Sequence, residues 1–437
     1  MKRITSKICI VIFAALCFML TFGACDSRDE VLKIYNWGEY MDPEVYEGFE
    51  DWYLKETGKT IRVQYKEFDT NESMYTEISV NKSDYDLACP SDYMIQRMKS
   101  EGLLLELDKT IFDVDDDIYY EGLASLIRES FDPELKFCVP YVWGTFGIMY
   151  DSTKVDEPED MNSWQAMFSE KYKGEILMKN SVRDAYSIAR IYDNASLLSE
   201  KSDGFTNYGD EYKEALKSIF ETIDYDMIDE ARETLVKQKK VLIRYEVDDG
   251  KDDMLSGNTA AKLGFFWSCD AGYVMNDTEI EATGCSGGRV IPGNKNLRYV
   301  VPKEGANIWV DGFVIPKYSR NPSAANYFLK YLCTAQYEEG DEEYEDYESV
   351  AEKNTDWLGA STAVRAAMDN MRAYYEQEQE SRDDEESFFY GTDDDFYEMY
   401  MNMMFPSSDI LDRCAIMKDF GKFNFELDGM WIDVKTA

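Results

Sequence analysis

Apolar and polar positions along this chain switch repeatedly between two periods. Residues 31–35 are a short apolar run that reads as a strand, and 43–57 follow the helical period up to Gly58. Residues 61–65 read as a second strand, 71–80 as a helix, 86–89 as a short strand stopped by Pro90, and 94–100 as a helix ending near Gly102. This β-α-β-α-β-α alternation predicts an α/β layer with a mostly parallel sheet. Residues 137–150 then read as an extended crossing segment. A second alternating region follows, with strands at 175–178 and 263–267 and helices near 184–192 and 211–223. A strand at 313–315 returns to the first layer, followed by a helix over 324–333. The expected architecture is two α/β lobes joined by crossing strands, one from 31–142 and 311–358, the other from 143–310 and 359–437. A cleft between two such lobes is where small ligands bind.

The N-terminus follows a different rule. Residues 1–7 are basic and 8–22 are apolar, which is a secretory signal and too short for a confident membrane span. Phe22-Gly23-Ala24-Cys25 resembles a bacterial lipobox, so Cys25 is the expected lipidated residue. That divides the start into a signal peptide (1–24) and a polar lipidated tether (25–30), which would hold the protein at a membrane surface outside the cytoplasm, on the cell surface or in the periplasm. Beyond Cys25 six cysteines remain, at 89, 138, 269, 285, 333 and 414, with neither CxxC nor metal-ligand spacing. They read as buried thiols, with Cys269–Cys285 the pair favoured as a disulfide by nearness in sequence.

Charge narrows the partners. The 437 residues carry 46 Lys and Arg against 87 Asp and Glu, a formal charge of −41. Such a surface repels nucleic acid and anionic headgroups and concentrates cations near any cleft. Most of these acids simply solvate the surface. The chain has no histidine, which removes Ser-His-Asp and Cys-His catalysis and the usual zinc sites. Two acid-rich stretches, 338–348 and 376–395, read as solvated insertions or partly disordered loops. Neither has the glycine-turned spacing of a calcium loop, and no metal is expected.

A cationic amine needs carboxylates against its ammonium groups and aromatic faces along its methylenes. Four strand ends combine the two: Tyr35 to Tyr40 after the first strand, Pro90-Ser91-Asp92-Tyr93 after the third, Trp267-Ser268-Cys269-Asp270, and Trp309-Val310-Asp311 where the chain returns. Taken singly, a Trp near a strand is more often core and an Asp after a strand is most often a helix cap. Their recurrence in four places points to a shared cleft.

These stretches resemble the bacterial spermidine/putrescine-binding proteins from about Val31 to the C-terminus. The matching segments, in order, are YNWGEY (35–40), FDTNESMYTEI (68–78), YDLACPSDYMIQRM (85–98), VPYVWGTFGIMY (139–150), SWQAMFSEKYKG (163–174), VPKEGANIWVDGFVIP (301–316) and TDWLGASTAVRAA (355–367). The resemblance implies a periplasmic-binding-protein type II fold, two α/β lobes with a ligand cleft between them. It implies a non-catalytic solute-binding protein that needs no cofactor, captures a polyamine and delivers it to the permease subunits of an ABC transporter. Carried over by position, Trp37, Glu39 and Tyr40 form the first wall, and Ser91 and Tyr93 the next loop. Trp267, Trp309 and Trp357 flank the methylenes, with Trp357 standing where tyrosine is usual. Asp311 grips one amine, Asp184 the far one, and Asp270 matches a Trp-x-x-Asp pattern of the putrescine binders. Ser181 falls where spermidine binders carry an aspartate, Met417 where a glutamine is expected, and Gly38 where a hydroxyl residue is usual. Asp270 is the expected substitute for the carboxylate that Ser181 lacks. The alternatives are a binder of another organic cation, a carboxylate-pair glycosidase, or an adhesion lipoprotein; a ferric-iron binder is disfavoured because the needed tyrosine or histidine cluster is not evident.

Overall fold

The computed structural model describes residues 30–113, 117–120, 122–247, 249–276, 278–280, 289–337, 348–385 and 387–437. Cys25 and the signal segment, Cys285 of the expected disulfide, and 338–347 of the first acidic stretch lie outside these residues.

The strands are β1 (Val31–Trp37), β2 (Arg62–Phe68), β3 (Leu87–Ala88), β4 (Leu104–Leu105), β5 (Cys138–Asp151), β6 (Ile176–Lys179), β7 (Leu242–Glu246), β8 (Leu263–Trp267), β9 (Thr278–Ile280), β10 (Arg289–Ile291), β11 (Leu297–Val300), β12 (Ala306–Pro316), β13 (Ser361–Thr362) and β14 (Cys414–Ala415). The main path through the sheet runs β2-β1-β3-β12-β5-β8-β6-β7. β1 lies parallel to β2 and β3, and β6 parallel to β7 and β8, as the β-α-β alternation requires. The helix Pro43–Thr57 starts where Asp42 accepts from the Glu44 amide with Pro43 in the first turn. It stops at Gly58, whose φ of 72° suits a residue without a Cβ.

The two parallel groups meet on β5, fourteen residues long and almost wholly buried. Its first half pairs antiparallel with β12, from Cys138 opposite Val314 to Thr145 opposite Ile308. Its second half pairs with β8, from Phe146 opposite Trp267 to Tyr150 opposite Leu263, and with β11 on the other side. Phe146, Trp164 and Phe265 pack around this junction with ring centroids 4.9 to 5.9 Å apart. The crossing segment expected at 137–150 is therefore a real strand.

Two expectations change. The returning strand spans Ala306–Pro316, so Trp309 and Asp311 stand within a strand, not in the loop before one. Its apolar residues continue on both sides of the lone Asp311, and both faces are covered, so no alternation marked its start. The second acidic stretch is not a loop throughout: the helix Arg365–Glu380 carries it to Glu380 and another helix begins at Asp394. Between them Phe389 is fully buried against Tyr375 and Tyr400, so aromatic packing organises a segment whose composition alone looked solvated. The five described cysteines are free thiols, with Cys89 and Cys138 buried.

Candidate ligand-binding site

Asp311 sits at a bulge, where the register of β12 against β5 shifts between Asp311 and Gly312. A bulge re-aims the side chain beside it. Here it turns a carboxylate, 7% exposed, toward the end of β1. The Tyr40 hydroxyl donates to Asp311 Oδ2 at 2.8 Å, and Ser91 pairs with Asp311 through an isolated bridge. Burial raises the Asp311 carboxyl to about 6, against the pull of hydrogen bonds from Ser91 and Tyr40. Ser91 is itself fixed by Asn71, whose amide donates to Ser91 Oγ at 3.1 Å and accepts from the Ser91 amide at 3.2 Å. Tyr40 is seated by Tyr141, whose hydroxyl donates to the Tyr40 carbonyl at 2.7 Å.

Trp309 lies two residues before Asp311, opposite Gly144 of β5. Gly144 is required there: a Cβ would come within 2.2 Å of Ser268 Oγ and 2.8 Å of the Trp309 ring. The missing side chain brings the indole of β12 close to the end of β8. Trp309 Nε1 donates to the Thr145 carbonyl at 3.2 Å, and the Thr145 amide donates to Ser268 Oγ at 3.3 Å.

Trp267 ends β8 and donates from Nε1 to Asp184 Oδ2 at 3.2 Å. Asp184 lies in the first turn of the helix Val182–Asp193, nearly buried, and burial pushes it up to about 6. Ser181 caps this helix, its hydroxyl accepting from the Asp184 amide at 3.4 Å. Asp270 stands in the first turn of the helix after β8. Its Oδ2 lies 2.9 Å from Lys179 Nζ, which is also 3.1 Å from Glu246 Oε1. Lys179 lies 4.6 Å above the Trp267 ring centroid. Asp270, the expected substitute for the carboxylate that Ser181 lacks, is thus paired with a lysine of the same chain.

Tyr93 is engaged as well. Its hydroxyl donates to Glu72 at 3.0 Å and its ring carries the Arg183 guanidinium at 3.9 Å. Arg183 also donates to the carbonyls of Met417 at 3.2 Å and Lys418 at 2.9 Å. Met417 thereby contributes backbone to this contact. Trp37 packs on Phe68 with centroids 4.6 Å apart. Glu39 is exposed in a left-handed turn, and Trp357 is 42% exposed on the helix Val350–Leu358; among the described contacts neither joins the network. Among the described residues no cluster of His, Cys, Asp or Glu is arranged to hold a metal ion.

Asp92, quoted in the strand-end segment 90–93 but given no role of its own, accepts from the Val310 amide at 3.0 Å, and burial raises it to about 7. Three further residues with a part in this region were not singled out from sequence. Arg183 bridges helix starts far apart in sequence. Lys179 and Glu246 stand opposite each other in the β6–β7 register. For Lys179 the signal was a charge closing the otherwise apolar, buried strand β6; for Glu246, which closes the half-exposed β7, the sequence offered none.

Three buried carboxylates, at Asp92, Asp184 and Asp311, thus carry raised proton affinities next to aromatic rings. A buried anion without a counter-charge is costly, so such an arrangement favours a cation.

Comparison with known proteins agrees with this chemistry. The model for the bacterial extracellular solute-binding proteins matches residues 49–340. The spermidine/putrescine-binding periplasmic protein of Salmonella typhimurium is 26% identical over 323 residues, covering 74% of this chain and 78% of that protein. The putrescine-binding periplasmic protein PotF of Escherichia coli is 25% identical over 322 residues, covering 72% and 76%. Among solved structures, the spermidine/putrescine ABC transporter substrate-binding protein of Streptococcus pneumoniae superposes with a TM-score of 0.61 at 26% identity, covering 93% of this chain and 99% of that one. The same two-lobed α/β fold recurs, and the matching family and relatives are solute- and substrate-binding proteins, which removes the glycosidase alternative. With two thirds of its length matched by that model, the chain belongs to the bacterial extracellular solute-binding protein family.

Proposed function

We propose that this protein captures a polyamine, spermidine or putrescine, between two lobes and delivers it to the permease of an ABC transporter while anchored through a lipid on Cys25. The observation that carries the reading is the buried Asp311 carboxylate, held by Tyr40 and Ser91 beside Trp309. An ammonium placed there gains a full counter-charge in a dry setting, where an ion pair is stronger than in water. The printed functions of the relatives from Salmonella typhimurium and Escherichia coli support the same ligand class. Lobe boundaries near 142 and 311 fit this scheme, since Val142 and Asp311 are paired across β5 and β12. Closure then brings Arg183 onto Tyr93, one residue from each lobe, in a hinge-type motion.

Isothermal titration of the mature chain with putrescine, cadaverine, spermidine and spermine tests the ligand class. Saturable binding of at least one supports it. Binding of a different organic cation with no polyamine response would refute it. Metabolic labelling with a radioactive fatty acid tests the anchor: label lost in Cys25→Ser supports it, and an unlabelled wild-type chain would refute it.

A further inference from the structure

Lys179 closes a short apolar strand, yet its side chain is only 1% exposed. Its ammonium lies 2.9 Å from Asp270 and 3.1 Å from Glu246, and it donates to the Val247 carbonyl at 2.6 Å. The ammonium thus forms an ion pair with each of two carboxylates and one hydrogen bond, to that carbonyl. The indole of Trp267 lies beneath it at 4.6 Å and the ring of Phe266 at 5.3 Å. Two carboxylates, a carbonyl and an aromatic face are the groups that an amine ligand would recruit, here spent on the protein's own amine.

The neighbouring positions make this consequential. Trp267 touches both Lys179 and Asp184, so the lysine adjoins one of the two acids left for a ligand. Ser181 brings no charge and turns its hydroxyl to the amide of Asp184. Both Asp92 oxygens already accept from backbone amides, of Val310 and Tyr93, which leaves Asp184 at one end and Asp311 at the other.

We propose that Lys179 is a specificity-determining residue, a tethered ammonium that occupies a third cation position and so tunes the cleft to a diamine over a triamine. The inference rests on the polyamine reading above. Removing the lysine leaves Asp270 and Glu246 without their counter-charge, next to Trp267, where an extra ammonium of a longer ligand satisfies them.

The experiment measures putrescine and spermidine affinities by titration calorimetry for wild type, Lys179→Met, and the charge-free triple variant Lys179→Met, Asp270→Asn, Glu246→Gln. Wild type should prefer putrescine. Lys179→Met should shift the spermidine-to-putrescine affinity ratio toward spermidine by about tenfold or more, the scale of one added ion pair in a buried site. The triple variant should return the ratio close to that of wild type. An unchanged ratio in a folded Lys179→Met protein would overturn the proposal. So would a wild-type preference for spermidine, which decides the matter even if Lys179→Met fails to fold. Wild type that binds neither amine removes the polyamine reading, and this inference with it, and is told apart from the other failures by the wild-type titrations alone.

Discussion

Replacing Asp311 with asparagine should stabilise the ligand-free protein while abolishing capture. The carboxyl is fully enclosed, and burial lifts it from its ordinary 3.8 to about 6. That rise is equivalent to about 3 kcal/mol of strain when the group is ionised. Its sign follows from proton binding: between pH 4 and 6 the folded state holds this proton more tightly than the unfolded chain. The group's contribution to stability is thus complete in acid and lost as pH rises through 6. An asparagine keeps an oxygen to accept from Tyr40 at 2.8 Å without the charge. Denaturant unfolding at pH 8 should therefore show Asp311→Asn more stable than wild type by up to about 3 kcal/mol, with the gap closing toward pH 4. The same change removes one half of an ammonium–carboxylate pair, a loss of about 2–5 kcal/mol and thus about thirtyfold or more in Kd. Calorimetric titration with putrescine and spermidine measures it. A variant that is less stable without ligand and binds as tightly as wild type would make Asp311 a structural acceptor for Tyr40 and Ser91, and the reasoning would be wrong.

Affinity should weaken as pH falls below 6, because Asp184 and Asp311, both raised to about 6, take up protons and leave an ammonium facing neutral acids; titrations from pH 5 to 8 check this, and a flat profile contradicts it. Trp267→Phe should weaken binding less than Trp267→Ala, since a ring face survives while the 3.2 Å donation to Asp184 is lost in both; equal affinities would deny the indole a ligand role. Arg183→Met removes the guanidinium stacked on Tyr93 at 3.9 Å and its bonds to the 417 and 418 carbonyls, which should speed ligand release several-fold by stopped-flow measurement, at a cost of about 1 kcal/mol. An unchanged off-rate would show that this contact does not hold the cleft shut.

Much of the fold was legible because period and punctuation agree. Residues 43–57 carry an aspartate cap, an early proline and a terminal glycine, and the helix occupies those residues. The strand at 263–267 was equally plain, an apolar run bounded by polar turns. Strand β12 was harder, because β3 and β5 flank it and its faces are covered, so apolar residues continue where an edge strand would alternate. The acid-rich segment after Glu376 misled because composition weighs every residue alike, whereas one buried Phe389 settles its course. At the candidate site, residues far apart in sequence meet: Tyr40, Ser91 and Asp311 converge, and so do Trp267 and Asp184. Partnership was the part not legible. Nothing in a run such as ILMK says that its lysine turns inward, since that depends on a glutamate from a strand 67 positions later meeting it in register.

The length of β5 has a mechanical corollary. One continuous strand is shared by both halves of the molecule, so neither half owns all of its hydrogen-bonded edge and no cut in the chain yields two self-sufficient pieces. A gaping movement of the proposed lobes would be absorbed as torsion in β5 near Thr145, where β12 hands over to β8 as neighbour, and in β12 near Asp311. Such a torsion bar would return to the same rest angle once released, without loss of alignment.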